Sequence, residues 1–157
     1  RMNKKVYFLE ELSDPIELYM LAIYSPLKDY QLAYRLNQHF GARFKRTRKD
    51  IDNPFQKTFY SRFVWKHEKY GWQCDFFANK DIHQTAPSSN NALLFDLPSV
   101  NAVSLITEFK QVDFFIQSEE KNIIDEFARN LKTMEGISMS YVVPTEKIKD
   151  QLNLIFD

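Results

Sequence analysis

The chain has 157 residues, 44% of them hydrophobic and 15% aromatic, and its 21 Lys+Arg are balanced by 21 Asp+Glu. That length and apolar content suit one domain with a substantial core and exclude a disordered or low-complexity chain. Zero formal net charge excludes a global field that would recruit nucleic acid or a membrane. The charge is uneven, however: Arg43 to Lys69 holds nine Lys/Arg against three Asp/Glu, a local +6.

Arg1 stands before Met2 and is set aside as an expression remnant, so the expected single domain runs over residues 2–157. Lys5 to Leu9 reads as a first strand and Ser13-Asp14-Pro15 as a turn, since Pro removes a donor and Asp bonds its own backbone. Leu18 to Tyr24 is the longest apolar run. It falls well short of the roughly 20 residues that span a bilayer, and Ile16 to Tyr24 is expected to be a buried strand. A helix should follow, with Ser25 as its N-cap, Pro26 at its first position and Gly41 just past its end. Leu32, Ala33, Leu36 and Phe40 fall on one face of it. Arg43 to Thr47 reads as a short basic strand and Asp50 to Pro54 as a loop.

Thr58 to Lys66 and Trp72 to Asn79 read as a hairpin turning at His67 to Gly71. Alternation sends Phe59, Phe63 and Trp65 one way, with Trp72, Cys74, Phe76 and Ala78 as partners. Tyr60, Arg62, Val64, Lys66, Gln73, Asp75 and Phe77 then face the other side. Thr85 to Asn91 reads as a polar loop, with short strands at Leu93–Phe95 and Val103–Ile106 and a firmer one at Val112–Gln117. Ser118 should cap a second helix with Glu119 and Glu120 in its first turn. Its buried stripe is Ile123, Ile124, Phe127, Ala128, Leu131 and Met134, and Gly136 ends it. Ile137 to Val143 reads as a strand. A short helical turn follows Pro144, with Leu152, Leu154 and Phe156 then at strand spacing.

Two strand–helix–strand units imply an α+β domain: a mixed or antiparallel sheet with two main helices on one face. A ferredoxin-like core with an inserted hairpin is the first choice of plan. The single cysteine, Cys74, cannot close an intrachain disulfide, so a cytoplasmic, reducing setting is expected.

Chemistry is mostly constrained by what the sequence lacks. The three glycines all fall at helix ends or a hairpin turn, leaving no Gly-rich loop for a diphosphate and no Gly-x-Ser-x-Gly elbow. His39, His67 and His83 have no paired metal-ligand spacing. His39 is expected to serve the end of its helix, His67 to be solvated, and Cys74 to be an inert buried thiol. No catalytic residue, metal or cofactor is therefore assigned. The basic aromatic segment 43–69 has the composition of a single-stranded nucleic-acid surface, with Arg46, Arg48, Tyr60, Arg62 and Lys66 as candidate contacts. The competing reading makes the rings core and the charges a solvated edge.

At Ile106-Thr107-Glu108-Phe109-Lys110-Gln111-Val112-Asp113-Phe114 the chain resembles the signature of the bacterial IPExxxVDY family. Ile106, Glu108, Val112 and Asp113 match, while Thr107 stands where the family has Pro and Phe114 where it has Tyr. Lys28-Asp29-Tyr30-Gln31-Leu32 also resembles a family segment that usually reads Asp-Tyr-Arg-Leu. The resemblance implies a small bacterial protein without an assigned enzyme activity. It singles out Asp29, Tyr30, Glu108 and Asp113 as candidate motif or partner-binding residues. Asp113 or Glu108 should accept backbone amides or pair with a cation to pin two strands, or else face a ligand. Three readings are open. A non-catalytic protein-interaction or regulatory module stands first, with an unknown partner or a second copy. Single-stranded nucleic-acid binding is the alternative. An enzyme built from Asp29, Glu108 and Asp113 is third.

Overall fold

Six strands form one antiparallel sheet in the computed structural model, which describes residues 17–53, 55–81 and 103–144. The elements run β1 (Tyr19–Tyr24), α1 (Asp29–Phe40), β2 (Lys45–Arg46), β3 (Ile51–Asn53), β4 (Thr58–Tyr60), β5 (Arg62–Lys66) and β6 (Gln73–Ala78). A 3-10 turn (Thr107–Phe109), β7 (Phe114–Ser118), α2 (Lys121–Leu131) and β8 (Met139–Val143) complete them. The large sheet has the order β2-β5-β6-β7-β1-β8, and β3 and β4 pair in a small second sheet. The expected α+β class with two helices is therefore what the chain forms. β7–α2–β8 straddles β1, an interleaving that does not by itself establish the ferredoxin-like plan.

β1 is apolar throughout because both of its faces are covered. Leu21 and Ile23 join the layer under the helices, whereas Met20 and Ala22 join a second cluster on the opposite face. The helix-side layer packs Leu32 and Leu36 of α1 and Ile124, Phe127 and Leu131 of α2 onto Phe63, Trp65, Cys74 and Phe76. Its rings meet edge-on, Phe40 to Phe127 at 4.5 Å and Phe44 to Trp65 at 5.6 Å. Such pairs each add about 0.5–1.5 kcal/mol beyond burial. The far face is closed by Ile51, Tyr60, Ile106 and Val112 over Phe77 and Phe115.

Several expectations are corrected. α1 starts at Asp29, not after Ser25. The Ser25 hydroxyl donates to Gly136 O at 2.6 Å and accepts the Leu27 N–H at 3.1 Å, so it shapes a turn instead. Lys28 opens the helix, its N–H donating to Gln31 Oε1 at 2.9 Å, and Gly41 ends it at φ 71° as expected. α2 starts at Lys121 because Ser118 still belongs to β7; its hydroxyl accepts the Glu120 N–H and donates to Gln73 O. α2 ends at Leu131, before Gly136. The Thr58–Lys66 strand breaks at Ser61, where Tyr60 leaves to pair with Ile51, so the expected loop at 50–54 contains β3. The basic strand at Arg43–Thr47 shrinks to Lys45–Arg46. At Val103–Ile106 only Ser104 bridges, to Lys80, because side-chain bonds from Asn79 organise the chain from Ile106 onward.

The expectations for Lys5–Leu9, Ser13–Pro15, His83, Thr85–Asn91, Leu93–Phe95 and the segment beyond Pro144 lie outside the described residues. Among the described residues no helix is long and apolar enough to cross a membrane.

Candidate functional site

The Ile106–Asp113 segment is held by one buried side chain, Asn79. Its Nδ2 donates to Phe109 O and Val112 O, both at 2.9 Å, and its Oδ1 accepts the Ile106 N–H at 2.8 Å. Its backbone N–H donates to Asp113 O at 2.9 Å, and its carbonyl accepts the Leu105 N–H. With these bonds Asn79 delivers Asp113 to the start of β7. There Asp113 Oδ2 accepts the Ser25 N–H at 2.9 Å and Oδ1 pairs with Lys80 Nζ at 3.2 Å.

Asp113 and Asp29, from the two motif segments, line one cleft of about 430 Å³ together with Lys28, Ser61, Lys80 and Asp81. Asp29 sits at the first position of α1, where the dipole favours a carboxylate, and its Oδ1 accepts the Tyr30 N–H at 2.6 Å. Asp81 is buried and its Oδ1 accepts the Phe59 N–H at 2.9 Å. Glu108 is not part of this cleft; it is exposed on the 3-10 turn. The cleft thus gathers two of the three motif carboxylates, and backbone amides already occupy an oxygen of each. Among the described residues no group of three His, Cys, Asp or Glu side chains forms a metal site.

Tyr30 lies outside the cleft and is 60% exposed; one turn on, Tyr34 is 63% exposed. Residues four apart share a helix face, so the two rings form a ridge on α1. A second groove, lined by Tyr34, Arg35, Gln38 and Glu135 and about 490 Å³ in volume, runs beside it. Tyr34 carries no sequence motif; only its spacing from Tyr30 hinted at it.

The basic segment divides between the interior and the surface. Tyr60 is fully buried with its hydroxyl donating to Val103 O at 3.2 Å, and Phe77 is fully buried beside it. Neither ring can stack a base, because the face that alternation assigns them is roofed by Ile51, Ile106 and Val112. Arg62 is committed inward as well, donating to buried Asp75 at 3.1 Å. Burial raises the Asp75 carboxyl above its ordinary range, with Arg62 and Gln73 opposing the shift. Arg46 pairs with Asp50 at 2.7 Å, Arg48 is exposed in the following bend, and Lys66 is exposed at the end of β5.

Arg46 and Lys66 nevertheless meet Arg43, Lys45 and Lys69 along a cleft of about 690 Å³, with Glu68 as its one acid. At its end the hairpin turn presents Tyr70, 68% exposed. The Tyr70 ring stacks on His67 at 4.9 Å, His67 lies 4.8 Å from Trp72, and Trp72 meets Trp65 edge-on at 4.8 Å. His67 is thus half-buried within this stack, where solvation was expected. Cys74, beneath the same hairpin, is fully buried, and burial pushes its thiol well up.

No family model, curated protein or solved structure matches the chain.

Proposed function

We propose that the chain is a non-catalytic interaction module of the IPExxxVDY type that docks a protein partner on the outer face of α1. The observation that carries this reading is the Tyr30–Tyr34 ridge, two large rings one turn apart and mostly in solvent. Tyrosine supplies broad contact area at small entropic cost and is enriched among residues that dominate binding. The flanking grooves supply shape, and Lys28, Asp29 and Arg35 supply a polar rim. Asp113 supports the surface from beneath by fixing the turn that launches α1. A lone buried thiol fits a reducing, cytoplasmic setting.

The test is capture from a nuclease-treated extract of the source cells, with wild-type protein and a Tyr30→Ala/Tyr34→Ala variant as baits. A partner held by wild type and lost from the variant is the expected result. The same retained set on both baits would place docking elsewhere. Sedimentation of the isolated protein reads whether the partner is a second copy.

A further inference from the structure

From a different surface, we infer that the cleft between β2 and the β5–β6 turn binds single-stranded nucleic acid, its cations following phosphates and Tyr70 stacking a base. Three elements converge to build the cationic side. The chain leaving α1 at Gly41 places Arg43, β2 places Lys45 and Arg46, and the end of β5 places Lys66. β2 is the edge of the sheet and both of its residues are exposed, so no described neighbouring strand covers these charges. Among the described residues Arg43, Lys45 and Lys66 form no ion pair. Arg46 is part-neutralised by Asp50 and lies 5.7 Å from the Phe63 ring centroid.

The aromatic side is rigid. His67 Nδ1 accepts the N–H groups of both Lys69 and Tyr70 at 3.2 Å, and Gly71 N–H donates to His67 O at 2.8 Å. The turn is thereby closed around the imidazole, and Tyr70 is seated on it with an interplanar angle of 29°. Behind it the stack continues through Trp72 to Trp65, which also lines the cationic cleft. Lys69, itself exposed, places its Nζ over the Tyr70 ring, 5.4 Å from the centroid, and must swing aside for a base to stack there. A ring at one end of a basic groove is the combination that holds unpaired bases and their phosphates together. A duplex keeps its bases stacked on one another and cannot reach Tyr70 in this way. Of the contacts expected from the basic aromatic segment, Arg46 and Lys66 line the cleft, Tyr70 replaces Tyr60, and Arg48 and Arg62 drop out.

The experiment is fluorescence anisotropy with short labelled oligo-dT and oligo-U over a salt series, on wild type, Tyr70→Ala and Lys45→Ala/Lys66→Ala. Contacts from three to five cations give a log–log salt slope of roughly −2 to −3.5 for single strands. Lys45→Ala/Lys66→Ala should weaken binding and flatten that slope by about 1.4. Tyr70→Ala should weaken binding about 5- to 150-fold, the range of one lost stacking contact, and leave the slope unchanged. Unlabelled duplex of the same length should compete poorly. All three substituted side chains are exposed, so the variants keep the fold. No binding at low salt would overturn the proposal. So would affinity indifferent to Tyr70, or equal competition by duplex, by inorganic polyphosphate or by polyglutamate; each marks a non-specific cationic surface.

Discussion

The carboxylate of Asp113 and the backbone N–H of Ser25 meet at 2.9 Å across 88 residues of chain. The other carboxylate oxygen takes Lys80 Nζ at 3.2 Å, and the Asp113 N–H donates to Ile23 O at 3.1 Å. One residue therefore ties the exit of β1, the exit of β6 and the entry to β7. Asp113→Ala leaves the Ser25 amide without its acceptor, which costs about 1–3 kcal/mol. Lys80→Ala should cost less, since its pair is about a third exposed and exposed pairs contribute about 1 kcal/mol or less. Urea unfolding of the two variants checks the order. Equal losses would make the ion pair, not the amide bond, the dominant link.

Asn79 has no surface exposure, and both ends of its amide are used: two donated bonds to Phe109 and Val112 and one accepted from Ile106. Asn79→Ala takes the side-chain partner from Val112 O and the Ile106 N–H and leaves Phe109 O with only the Val112 N–H, a loss of about 3 kcal/mol. Asn79→Asp keeps the shape but cannot donate when ionised, so it should be nearly as damaging. Beyond the lowered unfolding midpoint, hydrogen exchange supplies a local signature: the Ile106 amide loses its protection before amides of β1.

Gly136 has φ 98°, and a Cβ there would lie 2.7 Å from Leu27 Cδ1. Gly41 has φ 71° with nothing within 4 Å of the same position. Gly41→Ala should therefore cost only the left-handed backbone penalty of about 1–2 kcal/mol, while Gly136→Ala adds a steric term. Leu27→Ala in the Gly136→Ala background removes the obstructing methyl. Thermal unfolding should show a smaller cost for Gly136→Ala in that background than alone; full additivity would mean that the methyl contact is relieved without cost.

Period-two alternation made the helix-side face of the hairpin legible, because Phe63 pairs Phe76 and Trp65 pairs Cys74 in register and all four enter one cluster. The α2 stripe was legible for the same local reason, with Ile124, Phe127 and Leu131 buried, and Met134 is buried just beyond the helix end. Tyr60 is buried where a surface ring is expected, because alternation assigns a residue to a face without saying whether a second layer covers it. The cover comes from Ile51, Ile106 and Val112, two of them more than 40 residues away. Ser25 has the chemistry of an N-cap, but Gly136 O and the Leu27 amide engage its hydroxyl first. At the candidate sites, the motif pattern pointed to Asp29 and Asp113, which do share a cleft. Tyr70 read only as a turn residue, since its seat depends on how His67 folds back onto the following amides.

The pH dependence of stability should carry a contribution from Asp75, whose side chain lies on the roofed side of the sheet against Arg62 and Gln73. Burial raises its carboxyl above the ordinary range despite both partners. A raised folded pKa means that the native state holds the proton more tightly than the unfolded chain. The associated stabilisation is fully present below the unfolded value of about 3.9 and is lost as pH rises through the folded value. Urea unfolding of wild type and Asp75→Asn over roughly pH 3 to 7 isolates this contribution. Wild-type stability relative to the variant should be highest at the acid end and fall toward neutrality. A relative stability that rises with pH would show instead that Arg62, 3.1 Å away, outweighs burial and holds the carboxylate ionised.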